Sequence, residues 1–551
     1  MSEWAPIVLI ALLVVPLVGA AVTAIFGARS QSAARAIALA FVCLNFALTT
    51  ALSGQAVDDL IDRAERPVTR ADAVTFHPLY ETKLDLMALG ANPSSAKSVI
   101  RFHIGLDGIN LWLVVLTSLL MIPSVLVSWN AISERANEFY AWLLVLQVAM
   151  TGVFLAFDVV LFYVFFELTL VPLYFLIGIW GGPMRREAAR KFFLFTLAGS
   201  LITLLGVIGV ILVCYHNVAP ASGGSRLTFA IPELITQVQY LVSRPGSGYG
   251  LSLQIAILLA LSLGFAVKVP LFPLHTWLPL AHTEAPTAGS VLLAGVLLKL
   301  GTFGFLRLAW PLAPDAVLSV GVPLLGTLAC IGIIYGAFCA FAQRDIKKLV
   351  AYSSVSHLGF CVLGLVALNR AGLTGALLQM VNHGLSTGGL FLLVGMIYER
   401  YHTRMMDDYG GMAARLKIYS AFMVFICLTS VGMPGLNGFV GEMLVLAGVY
   451  DLKAPGGFGP TFAVVVAIGI VLGAWYLFTM LMRVFFGPLR EPEHHGEAIT
   501  DLNGRELVAI LFVAIPCLLL GLFPQPVIEA TRGDIGVVAR IAQQAQERAQ
   551  K

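Results

Sequence analysis

Apolar runs of roughly 20 residues recur along the whole chain, separated by polar connectors, and a run of that length as a helix crosses a bilayer. About fourteen such runs are present, centred from near Leu13 to near Ala514, when two runs interrupted by proline each count as one span. The expected fold is therefore an all-α polytopic membrane protein. The apolar run after Ser2-Glu3-Trp4 has no basic residue before it and is too long for a secretory signal, so it reads as the first span.

The connectors alternate in charge. Those at Arg29–Arg35, Asn130–Glu138, Gly181–Lys191, Ala342–Lys348, Arg400–Lys417 and Arg483–Arg505 hold seventeen Lys and Arg. The short ones near Asp158, Arg307, Arg370 and Lys453 hold three. Basic connectors stay on the cytoplasmic side, so both termini are expected outside. Two outside connectors are longer. Gly54 to Arg101 is mixed in charge and contains proline, with room for some structure of its own. Tyr215 to Gly250 begins with Ala221-Ser-Gly-Gly-Ser225 and continues with helical spacing from Ile231 to Val242. The tail from Asp534 to Lys551 places Ile535, Val538, Ile541 and Ala545 on one helical face. Both amphipathic segments are expected to lie on the membrane or on a neighbouring subunit.

Composition supports the membrane setting. The chain is 58% hydrophobic and 12% charged, with a mean hydropathy of +0.88, whereas soluble domains carry about 25% charged residues. A net charge of +3 over 551 residues gives no case for nucleic-acid binding. The seven cysteines are scattered through or beside the spans without a Cys-x-x-Cys, and read as small buried hydrophobes. No glycine-rich phosphate loop is present. The chain is thus expected to carry no cofactor or metal, so any linked electron transfer occurs elsewhere.

Against that background four ionisable residues stand out, because each lies deep in an apolar run: Glu167 in Leu161–Leu170, Lys268 in Gly264–Pro273, Lys299 in Val291–Leu300, and Glu442 after Gly438-Phe-Val-Gly. A charge at mid-bilayer costs at least ~2.5 kcal/mol, so residues of both signs kept there point to a proton pathway. Burial disfavours the charged form of lysine and a nearby carboxylate favours it, so moving Glu167 toward or away from Lys268 would gate a proton step. Two runs also carry helix breakers. Pro270 and Pro273 follow Lys268, and Pro434 lies in Met433-Pro-Gly435 ahead of Glu442. Proline removes a backbone donor, and the freed carbonyls must face protein or water. Two interrupted helices in corresponding positions point to a transporter of inverted repeats with its site at mid-membrane. The alternative is a pair of ordinary proline kinks.

The segment Lys268-Val-Pro-Leu-Phe-Pro-Leu-His-Thr-Trp-Leu-Pro-Leu-Ala-His-Thr-Glu-Ala-Pro-Thr-Ala-Gly-Ser-Val-Leu-Leu-Ala-Gly295 resembles the signature of the antiporter-like, proton-translocating membrane subunits of respiratory complex I (NADH:quinone oxidoreductase) and their Mrp-type antiporter relatives. Asp345-Ile-Lys-Lys-Leu-Val-Ala-Tyr-Ser-Ser-Val-Ser-His-Leu-Gly359 and Asn382-His-Gly-Leu-Ser-Thr-Gly-Gly389 are similar to the same family. The likeness runs from Phe102 to about Pro524. Gly438-Phe-Val-Gly-Glu-Met443 resembles the M-type branch, where the sister L and N subunits typically carry lysine at the place of Glu442.

The resemblance implies inverted five-helix repeats at 139–310 and 315–486, flanked by spans 1–3 within 1–138 and by an inside loop, span 14 and tail in 487–551. Spans 7 and 12 would be the discontinuous ones. It implies that Glu167 on span 5 pairs with Lys268 on span 7, that Lys299 on span 8 is the central relay, and that Glu442 on span 12 is the terminal group. His357 and His383, on spans 10 and 11, would help link Lys299 to Glu442, with water held by Ser353, Ser354, Ser356, Thr387 and Asn437. It further implies a bacterial cytoplasmic-membrane location, neighbouring L and N subunits as partners, and FMN and iron–sulfur clusters confined to other subunits.

Plainer readings stand beside these. The lysines would snorkel if they lay near span ends, which they do not. A buried neutral histidine bonded to serine accounts for His357 as well as a relay does, and the same holds for His383. His275 and His282 suit capping or loop packing, and Asp158 suits a solvated turn. His494-His495 alone makes no metal site. A Mrp-type antiporter subunit or a membrane-bound hydrogenase subunit would share the same Lys and Glu set.

Overall fold

A computed structural model of the chain describes residues 4–66, 74–89, 98–218, 227–244, 246–454, 456–493 and 499–550. The cluster at 221–225 and the His494-His495 pair lie outside them. Among the described residues, thirteen helices have the length and composition to cross a membrane. They are α1 (Ala5–Phe26), α2 (Gln31–Glu65), α3 (Leu111–Ala131), α4 (Ala136–Leu155), α5 (Val159–Trp180), α6 (Arg185–Asn217), α7a (Leu251–Lys268), α8 (Thr287–Leu312), α9 (Pro314–Phe341), α10 (Ile346–Val366), α11 (Arg370–Tyr401), α13 (Phe458–Val484) and α14 (Gly504–Leu522). Two shorter apolar helices, α12a (Lys417–Val431) and α12b (Asn437–Tyr450), form an interrupted fourteenth span. Span 7 is likewise completed by α7b (Leu278–Glu284).

Burial orders these spans. The central windows of α8 and α11 are wholly enclosed, with α10 and α3 close behind, whereas α1, α2, α13 and α14 bury only a third or so of theirs. The enclosed helices are those that carry Lys299, His383 and His357, so these polar groups are shielded by protein on all sides. The outer helices present exposed Ile7, Leu17, Val471 and Ile515, as lipid contact requires.

Local sequence sets the breaks. After Lys268 the chain leaves helical geometry over 269–277, where Pro270 and Pro273 supply no backbone donors. In span 12 the interruption covers 432–436. Gly432 and Gly435 take φ of +77° and +88° there, and a Cβ on Gly432 would stand 2.6 Å from Glu442 Oε2. Only glycine admits both that backbone and that carboxylate. Span 8 stays helical but contains two π-helical turns, Leu293–Leu297 and Phe305–Ala309, on either side of Lys299.

The long connector reads differently from the expected loop. The α2 helix continues to Glu65 because Leu52, Ala56 and Leu60 keep a buried stripe at helical spacing. An antiparallel hairpin follows, β1 (Leu79–Leu89) with β2 (Ser98–Leu106). Its docked end is held by Ile104 bridging to Ala156, by the Arg101 amide on Asp158, and by the Tyr80 hydroxyl on Asp59 at 2.5 Å. Asp158 is accordingly buried, not solvated; its carboxylate also caps α5 through the amides of Val160 and Leu161.

The two amphipathic segments are helices, Ile231–Val242 and α15 (Gln525–Ala549), but their apolar faces rest on this chain's own spans. Gln239 donates to Pro311 O, and Thr75 donates to Pro232 O. On α15, Asp534 accepts from Arg63 at 2.5 Å and from the Gly108 amide at 2.8 Å, and Arg548 pairs with Asp315 at 2.7 Å. Neutral hydrogen bonds hold the first helix and charged pairs hold α15 against the span ends, where the expectation placed them on lipid or a neighbour.

Candidate functional site

The site is assembled from the two interrupted spans and the enclosed helices between them. At one end, Lys268 closes α7a. Its Nζ donates to Phe166 O and to Thr169 Oγ1, each at 3.0 Å, and lies 3.5 Å from the centre of the Phe166 ring. Thr169 marks an irregular turn in α5, which turns these acceptors toward the lysine. Glu167 is one residue from Phe166 yet forms no ion pair with Lys268 within 4.0 Å; it is half-buried, and its Oε1 has no protein hydrogen-bond partner. The expected carboxylate–lysine pair is thus open in this structure, with neutral oxygens and an aromatic face holding the ammonium.

In the middle, Lys299 is wholly buried. Its Nζ donates to Ala294 O, a carbonyl of the first π turn, and stands 2.7 Å from His383 Nδ1. His383 packs beside His357 with ring centres 5.8 Å apart. His357 Nδ1 then approaches Glu442 Oε1 at 3.7 Å, and its Nε2 faces Tyr476 OH at 3.2 Å and Ser430 Oγ at 3.5 Å. Glu442, 2% exposed, accepts from Gln379 Nε2 at 3.2 Å. Residues 84, 26 and 85 positions apart in sequence therefore form one line from α8 through α11 and α10 to α12b.

Polar atoms without protein partners cluster along this line. His383 Nε2, Thr387 Oγ1, Asn382 Oδ1, Asn437 Oδ1 and Gln379 Oε1 are all buried and unmatched by protein donors or acceptors. Such groups are normally satisfied by ordered water. Ser353 and Ser354 donate their hydroxyls to Val350 O and Ser356 donates to Ile333 O, so each keeps only its acceptor lone pairs for water.

Several residues escaped the sequence reading. Gln379 and Tyr476 were missed, although Gln379 lies one helical turn before His383, on the same face. Lys347, counted as a loop charge, is buried and donates to Ala285 O at 2.6 Å. Arg307, counted as a connector charge, is fully buried in an ion pair with Asp107 at 2.6 Å. His275 stacks on Phe272 with its Nδ1 unbonded, and His282 stacks on Phe391 at 4.6 Å with neither ring nitrogen bonded to protein, so of the two expected roles, capping or packing, the rings take the packing one. Among the described residues no group of three or more His, Cys, Asp or Glu has the arrangement of a metal site.

Two interrupted spans, one carrying Lys268 and the other ending a line of buried lysine, histidine and glutamate, define a class of ion-translocating membrane chains, and comparison with known proteins agrees. Residues 156–472 match the family described as NADH:quinone oxidoreductase/Mrp antiporter, transmembrane. NADH-quinone oxidoreductase subunit M of Pseudomonas aeruginosa is 41% identical over 439 residues, 78% of this chain and 80% of that protein. A chain of respiratory complex I from Thermus thermophilus superposes with a TM-score of 0.76 at 30% identity, covering 97% and 99% of the two chains. A chain of the Mrp complex from Dietzia sp. DQ12-45-1b shares the fold, with a TM-score of 0.74 at 20% identity over 98% of this chain and 55% of that one. The chain belongs to the NADH:quinone oxidoreductase/Mrp antiporter family of membrane subunits, in the branch of NADH-quinone oxidoreductase subunit M.

Proposed function

We propose that this chain relays protons through the membrane arm of an NADH:quinone oxidoreductase, driven by redox chemistry in other subunits that hold FMN and iron–sulfur clusters. The observation that carries the reading is the close succession of Lys299 and His383 at 2.7 Å, His383 and His357 with ring centres 5.8 Å apart, and His357 and Glu442 at 3.7 Å. Lysine, imidazole and carboxylate all gain and lose protons, and imidazole passes a proton from one nitrogen to the other.

In this scheme Glu167 and Lys268 form the gate. With Glu167 withdrawn, Lys268 rests on neutral oxygens and its proton is released toward Lys299; with the pair closed, the proton stays. Lys299 hands its proton through His383 and His357 to Glu442, with water at the unmatched Asn382, Asn437 and Thr387 atoms. The repeats at 139–310 and 315–486 would each contribute one interrupted helix. The basic connectors favour both termini outside a bacterial cytoplasmic membrane, and the neighbours in this reading are other membrane-arm subunits, of the L and N types. The identity to subunit M over most of both chains favours this reading over a stand-alone antiporter.

The test replaces Lys299 by arginine and, separately, by alanine in the assembled enzyme. Alanine removes the relay and keeps the helix; arginine keeps the charge but does not deprotonate. Both should abolish NADH-driven proton uptake into vesicles. Normal pumping by Lys299→Arg would make Lys299 a fixed charge and refute the relay.

A further inference from the structure

The hairpin and α15 enclose a region that the proton line does not use. A cavity of about 450 Å³ lies where α15, the end of α2 and the start of α11 meet, and Arg63, Arg66, Arg370, Arg532 and Arg540 line it. Among the described residues its one acidic lining residue, Asp534, is already engaged by Arg63 and by the Gly108 amide. Among the described residues, Arg370 and Arg532 therefore stand in this lining with no acidic side chain left to them by Asp534. Burial, reinforced by the nearby Arg370 guanidinium, pushes the Arg540 pKa below its ordinary value. Both guanidinium groups reach the space over Gly536, 3.2 and 3.7 Å from where a Cβ would stand.

Next to this cavity is a narrower cleft of about 230 Å³. Arg370 and Arg532 stand in both linings, and the remaining walls of the cleft are Thr374, Leu444, Ile528 and Ile535, with Ala371 at the rim. The walls come from α11, α12b and α15, so the cleft begins where the spans end and runs down along them. On its far side Arg370 also faces a larger cavity that holds Asp451 and Glu547, which supply negative charge there. Among the described residues no acidic side chain lines the cleft.

We propose that this paired cavity and cleft bind an anionic phospholipid, with the headgroup phosphate between Arg370 and Arg532 and an acyl chain in the cleft against Leu444, Ile528 and Ile535. The charge complementarity is direct: exposed guanidinium groups form forked hydrogen bonds to phosphate. An apolar slot leading from a phosphate-binding rim into the spans matches the two halves of a lipid, and a free anion would use only the rim. Bound lipid would fasten α15 to α11 and α12b on the same face as the hairpin. The site would thereby hold the end of the span that carries Glu442.

The experiment uses the assembled enzyme in phosphatidylcholine vesicles containing phosphatidylglycerol with a photoreactive acyl chain. Illumination should label peptides containing Leu444 or Ile528–Ile535. Unlabelled phosphatidylglycerol should compete, and phosphatidylcholine should not. The double variant Arg370→Gln/Arg532→Gln should lower labelling about tenfold, since each basic group adds attraction to anionic lipid. Thr374→Trp, which fills the cleft and spares both arginines, should lower it as well. Labelling of these peptides by a photoreactive phosphatidylcholine to the same extent would overturn the proposal. Displacement by millimolar inorganic phosphate would equally reject it, in favour of a free-anion site. Recovery of a neighbouring subunit's acidic segment cross-linked at position 532, with no lipid adduct, would assign the surface to a protein contact.

Discussion

Replacing His383 by leucine should interrupt the proton line at its tightest contact. The substitution keeps side-chain bulk and helix propensity, so α11 should remain formed and packed. It deletes the 2.7 Å contact with Lys299 and leaves that ammonium bonded only to the Ala294 carbonyl. A hydrogen bond to a charged group contributes about 1.5–3 kcal/mol. At about 1.4 kcal/mol per tenfold in rate, its loss should slow transfer by about 10- to 150-fold. A series arrangement makes a further demand. If His383 and His357 act one after the other, the double variant His383→Leu/His357→Leu should pump no worse than the poorer single variant. The assay is NADH-driven proton uptake into vesicles, normalised to fully assembled enzyme on native gels. Unimpaired uptake by assembled His383→Leu would refute the relay, and so would multiplicative losses in the double variant.

Other outcomes follow from the same geometry. Glu167→Ala should leave Lys268 in place on Phe166 O and Thr169 yet depress coupled pumping sharply, because the carboxylate that closes the gate is gone; near-normal uptake in assembled enzyme would remove Glu167 from the gate. Glu442→Gln keeps shape and the Gln379 contact but abolishes the charge change, so most pumping should be lost, whereas Glu442→Lys, which restores a titrating group, should retain part of it. On the hairpin, burial pushes the His103 pKa below its ordinary 6.5, against the opposing pull of the Glu81 carboxylate at 3.0 Å. His103 is thus neutral when docked and binds a proton more readily when released. Docking should be fully stable above pH 6.5 and weaken as pH falls below it. Hydrogen exchange of β2 between pH 7.5 and 5 should show that loss, and His103→Phe should abolish its pH dependence.

The span pattern was legible because hydrophobic length is a local property: fourteen runs were read, and fourteen spans stand in the structure when α12a and α12b are joined. The breaks were legible because proline and glycine act on their own backbone, at 269–277 and 432–436. Side-chain meetings across helices were not legible in the same way. Nothing in the residues near Lys299 announces His383, 84 positions later; only the family likeness linked them. Gln379 could have been found from its one-turn spacing to His383. The hairpin was hidden because mixed charge masks the alternation Ile100, Phe102, Ile104, Leu106 in β2. Charges near span ends misled in a consistent way. Arg307 and Lys347 were assigned to connectors, and Asp158 to a solvated turn, yet the structure buries all three. Distance from a span centre measures depth in the membrane, and it says nothing about what the protein packs over the end of the span.

The two ends of the polar line differ in kind, and the difference bears on how a voltage could be opposed. From Lys299 to Glu442 the groups are close neighbours: Lys299 touches His383, and the remaining gaps to His357 and Glu442 are short enough for a single water to bridge. At Lys268 the partner carboxylate is absent from contact, and neutral oxygens take its place. Unit charges about 4 Å apart attract by roughly 4 kcal/mol at an effective dielectric near 20. Moving one charge across 100 mV costs about 2.3 kcal/mol. Closing or opening the Glu167–Lys268 pair therefore exceeds the membrane work on a single proton, while the already closed Lys299–His383 contact has no comparable range to travel. The power stroke is accordingly expected at the Lys268 end, with the Lys299–Glu442 segment conducting whatever that end releases. Glu167 is suited to this role by its place at the edge of the packed core: it is half-buried, whereas Lys268 is buried, so the carboxylate has more room to move than the lysine.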